Sequence, residues 1–221
     1  MSSQLLIELV GVEKVYGGEI VLKDIDLEIY DGDYICIRGR SGVGKTSLLR
    51  IVSLLSLPSS GKVFFMGRDV TSLGDFERSV IRARYFGVVF QGETLISTLT
   101  GYENIVLGFD VKGLDVDDDF IDSIMVELGI SHLRDRYPDT FSAGEKQRVA
   151  IARALVGTPR VLVLDEPFAN LDDKSIDIIN GVLDLFNGEY GTTIVMSTTE
   201  LYSSLPCGRR FILRDSRLYP E

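Results

Sequence analysis

From Leu5 to about Val70, short runs rich in β-branched residues alternate with turns at Gly17-Gly18, Asp31-Gly32 and Ser59-Ser60-Gly61. That rhythm predicts an antiparallel sheet, interrupted by one helix whose apolar positions run from Ser47 to Leu55. Three later runs are apolar without alternation: Phe86-Gly87-Val88-Val89-Phe90, Val161 to Leu164 and Thr193 to Met196. Strands with no polar side must be covered on both faces, so these runs predict a parallel core sheet. Helices with mixed faces fill Glu103 to Leu133 and predict a separate helical lobe between Gln91 and Ser142. Within it, the acidic run Asp115 to Asp119 lacks the spaced ligands and turn glycine of a calcium loop, and reads as a helix start favoured by the macrodipole. Strand-like pieces at Arg209 to Leu213 and Arg217 to Tyr219 end the chain, with no room expected for a regulatory domain. No internal repeat interrupts this α/β pattern.

Composition narrows the functional classes. The 221 residues are 45% hydrophobic, enough for a substantial core in one compact subunit with two lobes. Against 23 basic residues stand 33 acidic ones, a formal charge of −10 that argues against non-specific binding to nucleic acid or to anionic lipid. No apolar run approaches the ~20 residues that cross a bilayer, and Met1 to Val10 lacks a signal-peptide pattern. Attachment to a membrane is therefore expected to go through protein, without direct insertion. Of the two cysteines, Cys36 lies in a strand and reads as a small core residue, so no disulfide framework is implied and a reducing cytoplasm fits.

The candidate chemistry begins at Gly39-Arg40-Ser41-Gly42-Val43-Gly44-Lys45-Thr46, which fits GxxxxGK[ST] between a strand-like stretch, Asp33 to Arg38, and the helix that starts near Ser47. The glycines let successive N–H groups turn inward onto phosphate oxygens, the helix N-terminus adds partial positive charge, and Lys45 adds a full one. Thr46 offers a hydroxyl to Mg²⁺. Val161 to Leu164 delivers Asp165 and Glu166 to the carboxyl edge of the sheet, Asp165 to hold Mg²⁺ and Glu166 to polarise the attacking water. Between these sites, Phe141-Ser142-Ala143-Gly144-Glu145-Lys146-Gln147-Arg148 opens another helix. Two readings of it stay open: a capped helix start, and a second anion site built from a helix tip, a hydroxyl and a close-approach glycine. Gln91 ends a buried strand at the edge shared with the phosphate loop, where its amide can reach the metal or the attacking water.

Taken in order, these motifs resemble the ATP-binding subunit of an ABC transporter. GRSGVGKT resembles the Walker A loop, VLVLDE the Walker B strand, FSAGEKQR the LSGGQ-type signature, Phe90-Gln91 the glutamine loop and Ala169-Asn170-Leu171-Asp172 the D-loop. Tyr16 sits where the family keeps an aromatic that stacks on adenine. The stretches LLSLPSSGKVFFMGRDVTSL, RARYFGVVFQ and DEPFANLD are most similar to the lipoprotein-releasing, macrolide-export and cell-division group. The resemblance implies a P-loop NTPase fold with a mostly parallel sheet, an antiparallel β subdomain and a helical subdomain. A single domain over 1–221 would comprise a core lobe (about 1–90 and 157–221) and a helical lobe with the signature (91–156). It further implies ATP and Mg²⁺ as cofactors, and a homodimer or heterodimer of ATP-binding subunits. In that pair each ATP would lie between Lys45 and its neighbours on one copy and Ser142, Ala143 and Gly144 of the other, with Glu145 and Asp172 also expected among the nucleotide-binding residues. A membrane-spanning permease would grip the helical lobe at the cytoplasmic face.

Two positions depart from the family pattern. Ala143 replaces the usual first signature glycine, adding a methyl group where backbone approaches phosphate. Thr199, in Thr198-Thr199-Glu200, stands where a histidine normally meets the γ-phosphate, and the chain's single histidine, His132, precedes the signature instead. A threonine hydroxyl is shorter than imidazole and carries no charge near neutral pH. Losing one such transition-state donor is expected to cost about 3 kcal/mol, roughly a hundredfold in turnover. The expectation is a slow ATPase that retains Lys45, Asp165 and Glu166, whether Thr199 is natural or introduced. A weak site beside an intact partner subunit, a non-transport coupler to a regulatory or cell-division partner, and an ATP-gated scaffold with little turnover are the alternatives.

Overall fold

The computed structural model describes residues 4–92, 95–199 and 207–221; Glu200 lies outside the described residues. Two sheets carry the fold. In the first, β1 (Leu5–Tyr16) and β2 (Glu19–Tyr30) form a long hairpin over the Gly17-Gly18 turn, where both glycines have positive φ. β4 (Ser60–Phe65) pairs antiparallel with the other edge of β1, and β5 (Arg68–Asp69) completes the order β2-β1-β4-β5. The alternation in β2 decides its facing: Ile25, Leu27 and Ile29 are buried while Asp26 and Glu28 between them are exposed.

The second sheet has the order β10-β9-β3-β8-β7-β6. β3 (Tyr34–Arg38), β6 (Phe86–Val89), β7 (Val161–Asp165), β8 (Thr193–Thr198) and β9 (Arg209–Arg214) run parallel, and β10 (Arg217–Pro220) returns antiparallel along the edge. Two expectations are corrected here. β3 belongs to this sheet and not to the antiparallel one, and the parallel core includes β3 and β9 beside the three runs legible from their apolar composition.

Why those strands are apolar throughout is visible in their period of two. Ile35, Ile37, Val161, Val163 and Val195 face one core, shared with the antiparallel sheet and α1 (Lys45–Val52). Tyr34, Cys36, Leu162, Leu164, Ile194 and Met196 face a second core, shared with α3 (Gly101–Lys112), α4 (Asp118–Glu127), α5 (Ala143–Leu155) and α6 (Asp173–Gly188). Each fully buried branched side chain contributes about 1.5–3 kcal/mol, so neither face tolerates a polar register. α2 (Asp75–Tyr85) lies ahead of β6. The acidic run does begin a helix: Asp117 caps α4, accepting the N–H of Phe120 at 2.9 Å.

The cysteine reading also needs correction. Cys36 is buried, as expected, but it is joined to Cys207 in a disulfide with Cα atoms 5.8 Å apart. Cys36 lies on β3, where its register partner is Arg210, and Cys207 lies three residues earlier, just before β9; the adjacency of the two strands brings the cysteines within reach across a sequence separation of 171. Among the described residues no helix is long and apolar enough to cross a membrane.

Candidate nucleotide site

The loop at 39–44 leaves β3 and enters α1 without a side-chain cap, so the first N–H groups of α1 have no side-chain acceptor at the helix tip. Gly44 is the N-cap, with φ 112°, and a Cβ there would come within 2.9 Å of Val21 Cγ1, so both conformation and space require glycine. Lys45 is 5% exposed. Its Nζ donates to the carbonyls of Gly39 (2.7 Å) and Arg40 (3.1 Å) and lies 3.0 Å from Glu166 Oε1. Val43 packs its side chain inward toward Gly39 and the first core.

The acidic pair arrives from β7. Thr46 Oγ1 donates to Asp165 Oδ2 at 2.7 Å, and Ser197 Oγ donates to Asp165 Oδ1 at 2.5 Å. Ser197 also accepts the Glu166 N–H at 3.0 Å. Glu166 has φ 51°, a left-handed backbone at a non-glycine residue, which turns the chain sharply as it leaves β7. The result is a cavity of about 300 Å³ lined by Val21, Ser41, Gly42, Gly44, Lys45, Thr46, Ser47, Gln91 and Glu166. An ammonium, helix N–H groups and hydroxyls facing one such space can hold a polyphosphate, while Glu166 is a base within reach of it. Asp165 and Thr46, joined by their hydrogen bond, and Gln91 on the cavity wall supply oxygen donors of the kind a hard cation takes. Among the described residues no group of three or more His, Cys, Asp or Glu is clustered for metal binding.

The remaining candidates lie elsewhere. Tyr16, 47% exposed, ends β1 with Lys14 Nζ 5.1 Å from its ring centroid. Thr199 follows the last residue of β8, half-buried, with its carbonyl accepting the Thr198 hydroxyl at 3.3 Å. Ser142, Ala143, Gly144 and Glu145 form the tip of α5, and Asp172 caps α6 beside them; none of these lines the cavity. Of the two readings left open for this segment, the cap is present: Ser142 Oγ accepts the Glu145 N–H at 3.2 Å, and Glu145 Oε2 accepts the Ser142 N–H at 2.7 Å. A Cβ on Gly144 would meet Ser175 Oγ at 3.0 Å, so the glycine also serves close packing against α6. The methyl of Ala143 is exposed.

Sequence reasoning missed several supporting residues. Ser197 was legible only as a polar residue inside an apolar strand, and the β7–β8 register sets it opposite Asp165. Val21 carried no signal. Buried Arg148 donates to Ser175 Oγ at 2.6 Å, and Ser175 Oγ donates to Asp172 Oδ2 at 3.2 Å, which ties the signature helix to α6. Asp172 also accepts the Ser175 N–H, the main reason its pKa is lowered.

A family model described as ABC transporter matches residues 22–169. Over 98% of its length the chain is 37% identical to the lipoprotein-releasing system ATP-binding protein LolD of Geobacter metallireducens, covering 99% of that relative. It is 33% identical to the bacitracin export ATP-binding protein BceA of Halalkalibacterium halodurans, covering 98% of this chain and 88% of the relative. Among solved structures, the dimeric bacterial ABC transporter cassette MJ0796 superposes with a TM-score of 0.90 at 32% identity, covering 98% of both chains. Its post-hydrolysis state bound to ADP and Pi matches equally well, at 31% identity. With a phosphate-binding loop, an acidic strand end and a signature helix in one chain, and relatives that span it end to end, this chain belongs to the ABC transporter family as one of its ATP-binding, ATP-hydrolysing subunits.

Proposed function

We propose that the chain powers a membrane-embedded permease by closing on ATP as a dimer and reopening after hydrolysis. The convergence of Lys45, Thr46, Gln91 and Glu166 on one cavity, with buried Asp165 bonded to Thr46 behind it, carries this reading. The loop amides of 39–44 and Lys45 bind the triphosphate, Tyr16 stacks on the base, and Glu166 takes a proton from the attacking water. Ser197 holds Asp165 and the Glu166 backbone, so the two carboxylates keep distinct directions. Mg²⁺, held by Thr46, Asp165 and Gln91 together with phosphate oxygens, would neutralise charge on the transferring phosphoryl group.

Because the α5 tip lies outside the cavity, a two-fold pair offers each triphosphate the Ser142–Glu145 tip and Asp172 of the opposite copy. The dimeric cassettes of similar fold support this arrangement. Residues 91–156 then act as the lobe that engages the permease. An apolar groove of about 570 Å³, lined by Leu55, Phe86, Val88, Ile96, Leu107 and Val111 with Arg82, Lys112 and Arg153, runs between α2, β6 and α3 and supports docking there. The chain would sit at the cytoplasmic face of the membrane.

Thr199 favours a second reading, an ATP-gated scaffold or coupler that pairs on ATP and barely turns over. Steady-state MgATP hydrolysis with and without the co-purified permease separates the two. Permease-stimulated phosphate release, abolished by Lys45→Ala, supports the motor; ATP-driven pairing without stimulated release supports the scaffold.

A further inference from the structure

Apart from the cavity, the chain's single histidine meets the signature helix. His132 Nε2 lies 2.7 Å from Glu145 Oε1. The backbone at His132 is held between Ile130 and Leu133, both with no exposure, and the Leu133 N–H bonds the Ile130 carbonyl at 2.9 Å. Its ring reaches out half exposed to a carboxylate whose second oxygen already caps α5 through the Ser142 N–H. Glu145 therefore bridges the helix tip and the turn at 131–133. The nearby cation Arg134 is committed to Asp118 and Asp122 of α4.

The signature of this chain poses an electrostatic problem. A carboxylate one residue beyond Gly144 adds negative charge to a helix tip that is to meet a triphosphate, and opposes the attraction supplied by the N-terminus. A donor on its outer oxygen turns that charge away and offsets it when the imidazole is protonated.

We propose that His132 is a positioning residue for ATP-driven pairing: it clamps the Glu145 carboxylate against the α5 cap and sets the charge that this tip presents to the triphosphate on the opposite copy. The inference rests on the dimer reading above. It acts through Glu145, with no contact to nucleotide required of His132 itself.

The test uses the full chain with Glu166→Gln to suppress turnover, following ATP-dependent dimerisation by sedimentation and nucleotide affinity of the monomer by a fluorescent ATP analogue. Two copies of the pair are lost per dimer, so His132→Ala should raise the ATP concentration for half-dimerisation about tenfold. Monomer affinity, set by the 39–46 loop, should stay the same. His132→Gln, which keeps a donor, should recover much of the loss. In a Glu145→Gln background His132→Ala should have little further effect, because the carboxylate it controls is gone. Dimerisation of His132→Ala matching the parent, or an equal loss in both backgrounds, overturns the proposal while leaving the dimer reading intact. Normal nucleotide binding with no pairing in the Glu166→Gln parent overturns both.

Discussion

Lys45 Nζ and Glu166 Oε1 stand 3.0 Å apart, with side chains 5% and 10% exposed. The cation that would bind phosphate is thus shared with the carboxylate that would activate water, and a triphosphate must compete with Glu166 for it. Glu166→Gln removes the competing charge and the base together. MgATP binding should tighten several-fold while hydrolysis falls at least about a hundredfold, as equilibrium binding and phosphate release would register. Weaker binding in this variant would mean that Glu166 positions Lys45 for phosphate instead of competing with it.

Thr199 is the second lever. Thr199→His restores a long donor at the end of β8, and turnover should rise roughly a hundredfold if that contact acts mainly in the transition state. Single-turnover phosphate release at saturating MgATP measures it. An unchanged rate would place the limiting step elsewhere or show that another group already serves the γ-phosphate.

Glu145 makes a pH prediction. The Ser142 N–H foremost, and then His132, hold its carboxyl down to about 2. Because the folded value lies below the unfolded one, this contribution is fully present above the ordinary carboxylate range and fades as pH falls from about 4.5 toward 2. Glu145→Gln should therefore be less stable than the parent at pH 7, with the gap narrowing below pH 4.5 in denaturant titrations. A gap that is constant with pH would assign the effect to packing.

Lys112 behaves oppositely. Burial lowers its pKa to about 8, although its Nζ donates to the Val156 carbonyl at 2.5 Å. The charged form is disfavoured in the fold, so the penalty is complete below about 8 and fades as pH rises toward 10.5. Lys112→Met should be more stable than the parent at pH 7 by about 1–2 kcal/mol after losing that hydrogen bond, and its advantage should shrink through this window. An acidic permease segment docked in the groove would remove the advantage by pairing with Lys112.

Gly87 tests the packing between β6 and α5. A Cβ there would lie 2.1 Å from the Ala154 carbonyl oxygen, a backbone atom with little freedom to move. Gly87→Ala should lower the unfolding free energy by about 3 kcal/mol, measured by chemical denaturation.

The local chemistry was legible in the sequence because each part of it is a matter of spacing along the chain. Glycines, a lysine and a threonine within eight residues make a phosphate loop wherever a strand precedes and a helix follows. Apolar runs ending in Asp165 and Glu166 must be buried strands, and the substitution at Thr199 needs no coordinates to be noticed. What tertiary structure alone decided are meetings between segments far apart in sequence. The order β9-β3-β8 put β3 in the parallel sheet and brought Cys36 to Cys207. The register of β7 on β8 set Ser197 against Asp165, and the packing of the 131–133 turn beside α5 gave Glu145 its histidine. The physical reason is that hydrophobic periodicity specifies which face of an element is buried, whereas strand order and register are chosen by how all the faces pack at once.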